Sequence, residues 1–264
     1  MSIAPAPVTV IGAGLSGALV ALLFARRGFT VTVYERRPDP RLEPSDAGRS
    51  INLALATRGL RALERAGLAE QVQPLLTPMR GRMVHGRDGT TSLLPYGQTA
   101  REVIYSVERD QLNTLLIDAA DSHPNVNFRF RHACLGARPA EGALLIRDQQ
   151  AEHGYEVALT ATIATDGAGS AVRTSLAAAG YLNAREELLD HDYKELTIPA
   201  VDGAHAIERH ALHVWPRGDY MLIALPNPSG TFTATLFMAK SGAQSFAALA
   251  APAQVTQLFA RDFA

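Results

Sequence analysis

Residues Val8-Thr9-Val10-Ile11-Gly12-Ala13-Gly14-Leu15-Ser16-Gly17 are followed, 18 positions after Gly17, by Glu35 at the end of Val31-Thr32-Val33-Tyr34-Glu35. This is the order of strand, glycine turn, helix, second strand and acid that a dinucleotide-binding βαβ unit requires. Gly12 permits a tight turn, Gly14 lets the backbone approach a pyrophosphate, and Gly17 lets the helix pack closely on the strand. The pyrophosphate then rests on unpaired N–H groups of a helix starting near Leu15, where the dipole favours an anion. Glu35 is placed to accept hydrogen bonds from ribose hydroxyls. A carboxylate there disfavours a 2′-phosphate, so the adenosine expected is that of FAD or NAD.

Val8 to Ala25 carries no charge, which also fits a membrane span or a signal peptide. Against both, the glycines punctuate the run near its start, no basic segment precedes it, and Arg26-Arg27-Gly28 closes it as a soluble helix would end. Over 264 residues, 47% hydrophobic and 19% charged, the composition is that of a soluble globular chain with room for one large domain or two coupled ones. The net charge of −1 gives no support for nucleic-acid binding or a polybasic membrane surface. A single cysteine, Cys134, excludes an intrachain disulfide and a multi-cysteine metal site, and the eight histidines show no metal-binding spacing, so no metal is assigned. Cytoplasmic residence in a bacterium is the expectation, and the oligomeric state stays open, a homodimer among the options.

Further along, 57–69 has helical spacing in Leu60, Leu63 and Leu68. Strand-like segments follow at 80–85 and 92–96. Residues 109–120 predict a helix burying Leu112, Leu115, Leu116 and Ala119, followed by a strand at 126–130. A hairpin is expected over 144–147 and 155–160, then a strand over 161–165. Runs at 212–215, 220–225 and 231–238 read as an antiparallel meander with Ile223/Leu225 on one face and Thr235/Phe237 together. Residues 245–263 read as helix, interrupted near Pro252. The first domain is therefore discontinuous, 1–73 with 100–180, and a second domain takes 74–99 and 181–264.

Ala164-Thr165-Asp166-Gly167-Ala168-Gly169-Ser170 delivers a second acid into a glycine turn before a helix. Read alone, this is either another ligand-facing turn or a plain Asp-Gly turn with a serine cap. Together with the first fingerprint, with Arg109 opening a helix, and with several longer blocks, the chain resembles the FAD-dependent aromatic hydroxylases, in particular the branch acting on kynurenine. The blocks are Gly48-Arg49-Ser50-Ile51-Asn52-Leu53-Ala54-Leu55, Met79-Arg80-Gly81-Arg82-Met83-Val84-His85, Leu94-Pro95-Tyr96-Gly97, Tyr193-Lys194-Glu195-Leu196, Leu212-His213-Val214-Trp215-Pro216 and Gly218-Asp219-Tyr220-Met221. They span nearly the whole chain.

The resemblance implies an α/β, Rossmann-like FAD-binding domain of the p-hydroxybenzoate hydroxylase type with an antiparallel-sheet substrate domain. It implies that L-kynurenine is hydroxylated at ring position 3 with NADPH and O₂, a step of tryptophan breakdown leading towards NAD. FAD contacts are implied for Leu15, Glu35, Arg36, Arg37, Leu53, Ala54, Arg109, Cys134 and Asp166 beside the three glycines. Arg82 and Tyr96 are implied to hold the substrate carboxylate. Ile104, Leu212, Ile223, Leu225, Thr235 and Phe237 are implied to surround its ring, with Trp215 structural. No catalytic side chain is assigned, because the cofactor carries the chemistry.

Two departures stand out: Ala164-Thr165 replaces the family's usual Gly-Ala, and no counterpart of its later Gly-Asp motif or C-terminal helical part occurs before Ala264. The expectation is therefore a portion of such an enzyme, inactive alone. An FAD or NAD oxidoreductase of another substrate and a non-catalytic flavin-binding fragment are the alternatives.

Overall fold

A computed structural model describes residues 6–43, 51–99 and 102–263. In chain order the elements begin with β1 Val8–Ile11, α1 Leu15–Ala25, β2 Val31–Glu35, β3 Asn52–Leu55, α2 Thr57–Arg65 and α3 Ala69–Val72. Next come β4 Thr77–Met79, β5 Gly81–His85, β6 Thr91–Pro95, β7 Ile104–Glu108, α4 Arg109–Asp121 and β8 Val126–Phe130. Then follow β9 His132–Arg138, β10 Ala143–Asp148, β11 His153–Ala158, β12 Ala161–Ala164 and α5 Ala171–Ala178. The last are β13 His191–Ile198, β14 Leu212–Pro216, β15 Met221–Pro226, β16 Phe232–Ala239 and α6 Pro252–Asp262.

These elements form two compact units. The first comprises Met1–Gly48, Leu63–Gln71 and Asp110–Glu186, and the second Arg49–Ala62, Val72–Arg109 and Glu187–Ala264. Strands β3 and β7 thus sit in the second unit, whereas the sequence expectation grouped their residues with the first domain. Gly48, Arg49 and Ser50 of the matching block lie outside the described residues.

The first unit carries a four-stranded parallel sheet in the order β12-β1-β2-β8. All of β1 is buried, as an uninterrupted Val-Thr-Val-Ile run in a parallel sheet should be. Helix α1 buries Gly17, Ala18, Ala21, Leu22 and Ala25, its small residues allowing a close approach to the sheet. Helix α4 forms where expected, but its buried stripe is Leu112, Leu116, Ile117 and Ala120. Leu115 and Ala119, expected in that stripe, are only half-buried. The expected hairpin gains a third strand, β9, giving an antiparallel sheet β11-β10-β9 over a core of Ile11, Ala137, Leu144, Ile146 and Val172.

The second unit contains a six-stranded sheet, β13-β16-β15-β14-β5-β6, and a small sheet β3-β7-β4. The expected meander β14-β15-β16 is antiparallel, and it extends by parallel pairing of β14 with β5 and by the unforeseen edge strand β13. Alternation along β16 buries Phe232, Ala234, Leu236 and Met238. These pack with Trp215, Leu222 and Leu258 of α6, confirming Trp215 as a core residue. Residues 245–263 are a 3₁₀ turn Phe246–Ala248 followed by α6, with Pro252 in the first turn where it needs no hydrogen-bond donor.

Candidate functional site

In the first unit, β1 runs into Gly12, whose φ is +95° and whose N–H donates to the Tyr34 carbonyl at 2.8 Å. A Cβ on Gly12 would lie 2.7 Å from the Thr165 carbonyl oxygen, and one on Gly17 would lie 1.8 Å from the Gly12 oxygen. Only glycine lets α1 start flush against this turn. Gly14 is the N-cap of α1; no side chain caps it and no acid occupies the first turn. Among the described residues no side chain caps the amides at this end, that of Leu15 included, which leaves them free to meet an anion.

Glu35 ends β2 at 6% exposure. Its Oε2 accepts the Ala13 N–H at 2.7 Å, while Oε1 accepts the Arg37 N–H at 2.9 Å and the Arg37 Nε at 3.0 Å. Burial works to raise its pKa, but the Arg37 side chain and the two backbone donors outweigh burial and hold the carboxyl below its ordinary value. The acid therefore also fastens the glycine turn to the second strand. Arg36 and Arg37 follow it at the surface.

Strand β12 aligns Ile11 with Ala164, so the next residue, Thr165, reaches the turn. Its hydroxyl donates to the Ile11 and Gly12 carbonyls, at 2.8 and 3.0 Å. In sequence Thr165 counted only as a departure; its role follows from the parallel pairing of two segments far apart in the chain. Asp166 is half-buried and accepts the Val172 N–H at 3.4 Å, while Ser170 caps α5 by accepting the Arg173 N–H at 3.0 Å. Cys134 lies in β9 opposite Ile146, its thiol pKa raised chiefly by burial.

In the second unit, cross-strand register assembles one face of the large sheet. Arg82 is opposite Leu212 and Leu94; Val214 is opposite both Val84 and Ile223; Ile223 is opposite Thr235; Met221 is opposite Phe237. Arg82 lies over the Tyr96 ring at 5.3 Å, and the Tyr96 hydroxyl is buried. Burial raises the Tyr96 pKa against the opposing charge of Arg82. Leu225 is 4% exposed, so it belongs to the packed end of this face rather than its open part. Ile104 sits on β7 opposite Met79.

Leu53 and Ala54 lie on β3, and Arg109 opens α4 with its N–H donating to the Ile51 carbonyl at 3.2 Å. Asn52, which the sequence placed in a matching block but gave no role, donates to Ser106 Oγ at 2.8 Å and Asn227 Oδ1 at 2.5 Å, and accepts from Thr233 Oγ1 at 3.0 Å. It ties the small sheet to the β15–β16 end of the large one. Among the described residues no group of three or more His, Cys, Asp or Glu could hold a metal ion, and no helix is long and apolar enough to cross a membrane.

This glycine turn, acid and second Asp-Gly turn define a flavin-type dinucleotide cradle, and the FAD binding domain family matches residues 5–243; the chain belongs to it. Among curated relatives, the kynurenine 3-monooxygenase of Stenotrophomonas maltophilia is 46% identical over 259 residues, covering 97% of this chain and 56% of the relative. That of Xanthomonas euvesicatoria is 46% identical over 263 residues, covering 99% and 57%. The chain thus spans a little over half the length of these relatives. The solved p-nitrophenol 4-monooxygenase of Pseudomonas putida superposes with a TM-score of 0.74 at 16% identity, over 97% of this chain and 62% of that one. A myxobacterial FAD-dependent chondrochloren halogenase gives 0.72 at 16% identity, over 97% and 57%. At such identity the likeness is one of fold: an α/β, Rossmann-like FAD-binding unit with a largely antiparallel sheet unit.

Proposed function

We propose that this chain is the FAD- and substrate-binding portion of an NADPH-dependent monooxygenase that hydroxylates L-kynurenine at ring position 3. The observation carrying the substrate reading is Arg82 over Tyr96, with the Tyr96 hydroxyl buried, beside an apolar sheet face. The 46% identity to kynurenine 3-monooxygenases supports it.

The first unit fits FAD by the tightness of its turn. The open space at Gly14, where an added Cβ would meet nothing within 4 Å, suits backbone approach by a pyrophosphate, the α1 amides supply donors, and Glu35 keeps lone pairs for ribose hydroxyls beside its present bonds. When bound, FAD supplies the redox and oxygen-activating chemistry.

Everything else falls to the protein's side chains. The Arg82 guanidinium grips the substrate carboxylate as a planar fork, and the Tyr96 O–H donates one further directional bond. Leu212, Ile223, Thr235 and Phe237 orient the aromatic ring and exclude water from it. The ring's own amino group supplies the electron density for attack ortho to it, so no protein nucleophile is assigned.

The test is equilibrium binding of L-kynurenine against its decarboxylated analogue. Kynurenine is expected to bind and the analogue to bind poorly. Equal binding of the two, or none by kynurenine, would overturn the reading.

A further inference from the structure

The pairing of β5 with β14 is a parallel seam in a sheet otherwise paired antiparallel, and it carries Arg82 opposite Leu212. Beneath it lie His85, His213 and Trp215. His213 is 1% exposed, and its Nε2 is 2.7 Å from the Glu208 carbonyl oxygen. A carbonyl only accepts, so the proton is on Nε2 and the Nδ1 lone pair is left. That Nδ1 is 2.8 Å from His85 Nε2, which must therefore be the donor. His213 is neutral in this arrangement, and a proton added to its Nδ1 would set two N–H groups head to head, whereas a proton added to His85 enters at its Nδ1 and leaves the bond in place.

The His85 ring stacks on Trp215 at 4.1 Å and 14°. Arg217, from the β14–β15 turn, donates to the His85 carbonyl at 2.9 Å and opposes a charge on that ring. From β16, Phe232 meets His213 edge-on at 5.4 Å. The Glu208 carboxylate favours a charge on His213, and Asp262 of α6 is committed to Arg87, Arg261 and Tyr220. Burial, then His213 and Arg217, bring the His85 pKa down to about 4. Burial likewise lowers that of His213 against the pull of Glu208.

We propose that His85 and His213 are positioning residues forming a proton-sensitive brace, which locks β5 to β14, and with it Arg82, while His213 is neutral, and releases the seam when His213 takes a proton. The consequence for substrate binding rests on the carboxylate role of Arg82 given above; the brace does not.

Trp215 is the only tryptophan of the chain, and imidazolium quenches indole emission far more than neutral imidazole does. His85 stacks on Trp215 at 4.1 Å and His213 at 5.7 Å, so emission of the full chain, titrated with acid, reads the protonation of the pair. The expected step has its midpoint near pH 4, well below the 6.5 of an ordinary histidine. His85→Gln should remove the part of it that belongs to His85 and leave that of His213. His213→Gln keeps an acceptor for His85 and a donor for Glu208 but cannot be protonated, so it should shift the step upward and flatten the fall of thermal midpoint below pH 6.5. A wild-type step at 6.5, or a step unchanged in His85→Gln, would overturn the proposal. Kynurenine that fails to bind at neutral pH would fault the Arg82 reading alone, leaving emission and melting to judge the brace.

Discussion

Glu35 is 6% exposed with both carboxylate oxygens engaged, one by the Ala13 N–H of the glycine turn and one by Arg37. Removing it would strip a charged acceptor from the Ala13 amide and, in the proposed role, from the ribose as well. Glu35→Ala is expected to weaken FAD binding by about 1.5–3 kcal/mol, the range for a hydrogen bond to a charged group. Flavin titration measures it, and equal affinities would take Glu35 out of the cradle. Arg82 poses a different question, because its charge could be kept while its shape is lost. Arg82→Lys should weaken kynurenine binding about tenfold, or ~1.4 kcal/mol, since a point charge cannot reproduce the bidentate fork. Isothermal titration of the two proteins with kynurenine checks this, and an unchanged affinity would assign the carboxylate elsewhere. Glu35 was singled out by the spacing of its βαβ motif, Arg82 only by the resemblance of the block around it. Thr165 and Asn52 were not, because their partners, Gly12 in one case and Asn227 and Thr233 in the other, lie far off in sequence and meet them only through strand pairing.

Helix α6 shows how a short element is held when its apolar face is modest. Leu258 packs into the sheet core, and at the other end the Asp262 side chain, with 0% exposure, accepts from Arg87 at 2.8 Å, Arg261 at 2.6 Å and the Tyr220 hydroxyl at 2.6 Å. Bonds from Arg261, offset by burial and reinforced by Tyr220, hold the Asp262 pKa near 2. Asp262→Ala would leave the buried Tyr220 hydroxyl without its acceptor, while Arg87 and Arg261 can turn to water, and should cost about 1–3 kcal/mol, the scale for a buried polar group left unpaired. Urea unfolding is the measurement, and a loss under ~1 kcal/mol would mean that apolar packing alone seats α6. The sequence showed a helix here but could not show its anchor, since Arg87 is 175 residues away. For α4 the period was read correctly and the phase was off by about one residue, because Ile117 and Ala120 were undervalued beside the leucines.

At the scale of the molecule, the parallel sheet and the meander were legible because long apolar runs and alternation are local signals. The division into units was harder. Strand β3 is a four-residue segment with no distinctive pattern, and only its pairing with β7 assigns it to the second unit. The lowered pKa values predict a staged response to acid. Stability from the His85–His213 pair is fully present above pH 6.5 and is lost as pH falls towards about 4. That from Glu35 is present above 4.5 and declines below it, and that from Asp262 is lost between 3.8 and about 2. Thermal midpoints across this range should be level above 6.5 and fall continuously below it; a level profile down to pH 4 would contradict the histidine stage. The central claim, that the first unit grips FAD through its adenosine half, is tested most directly by titrating the chain with FAD and with FMN, which has the same flavin but no adenosine. The account predicts that FAD binds saturably and FMN binds far more weakly, and equal binding of the two, or binding of neither, would contradict it.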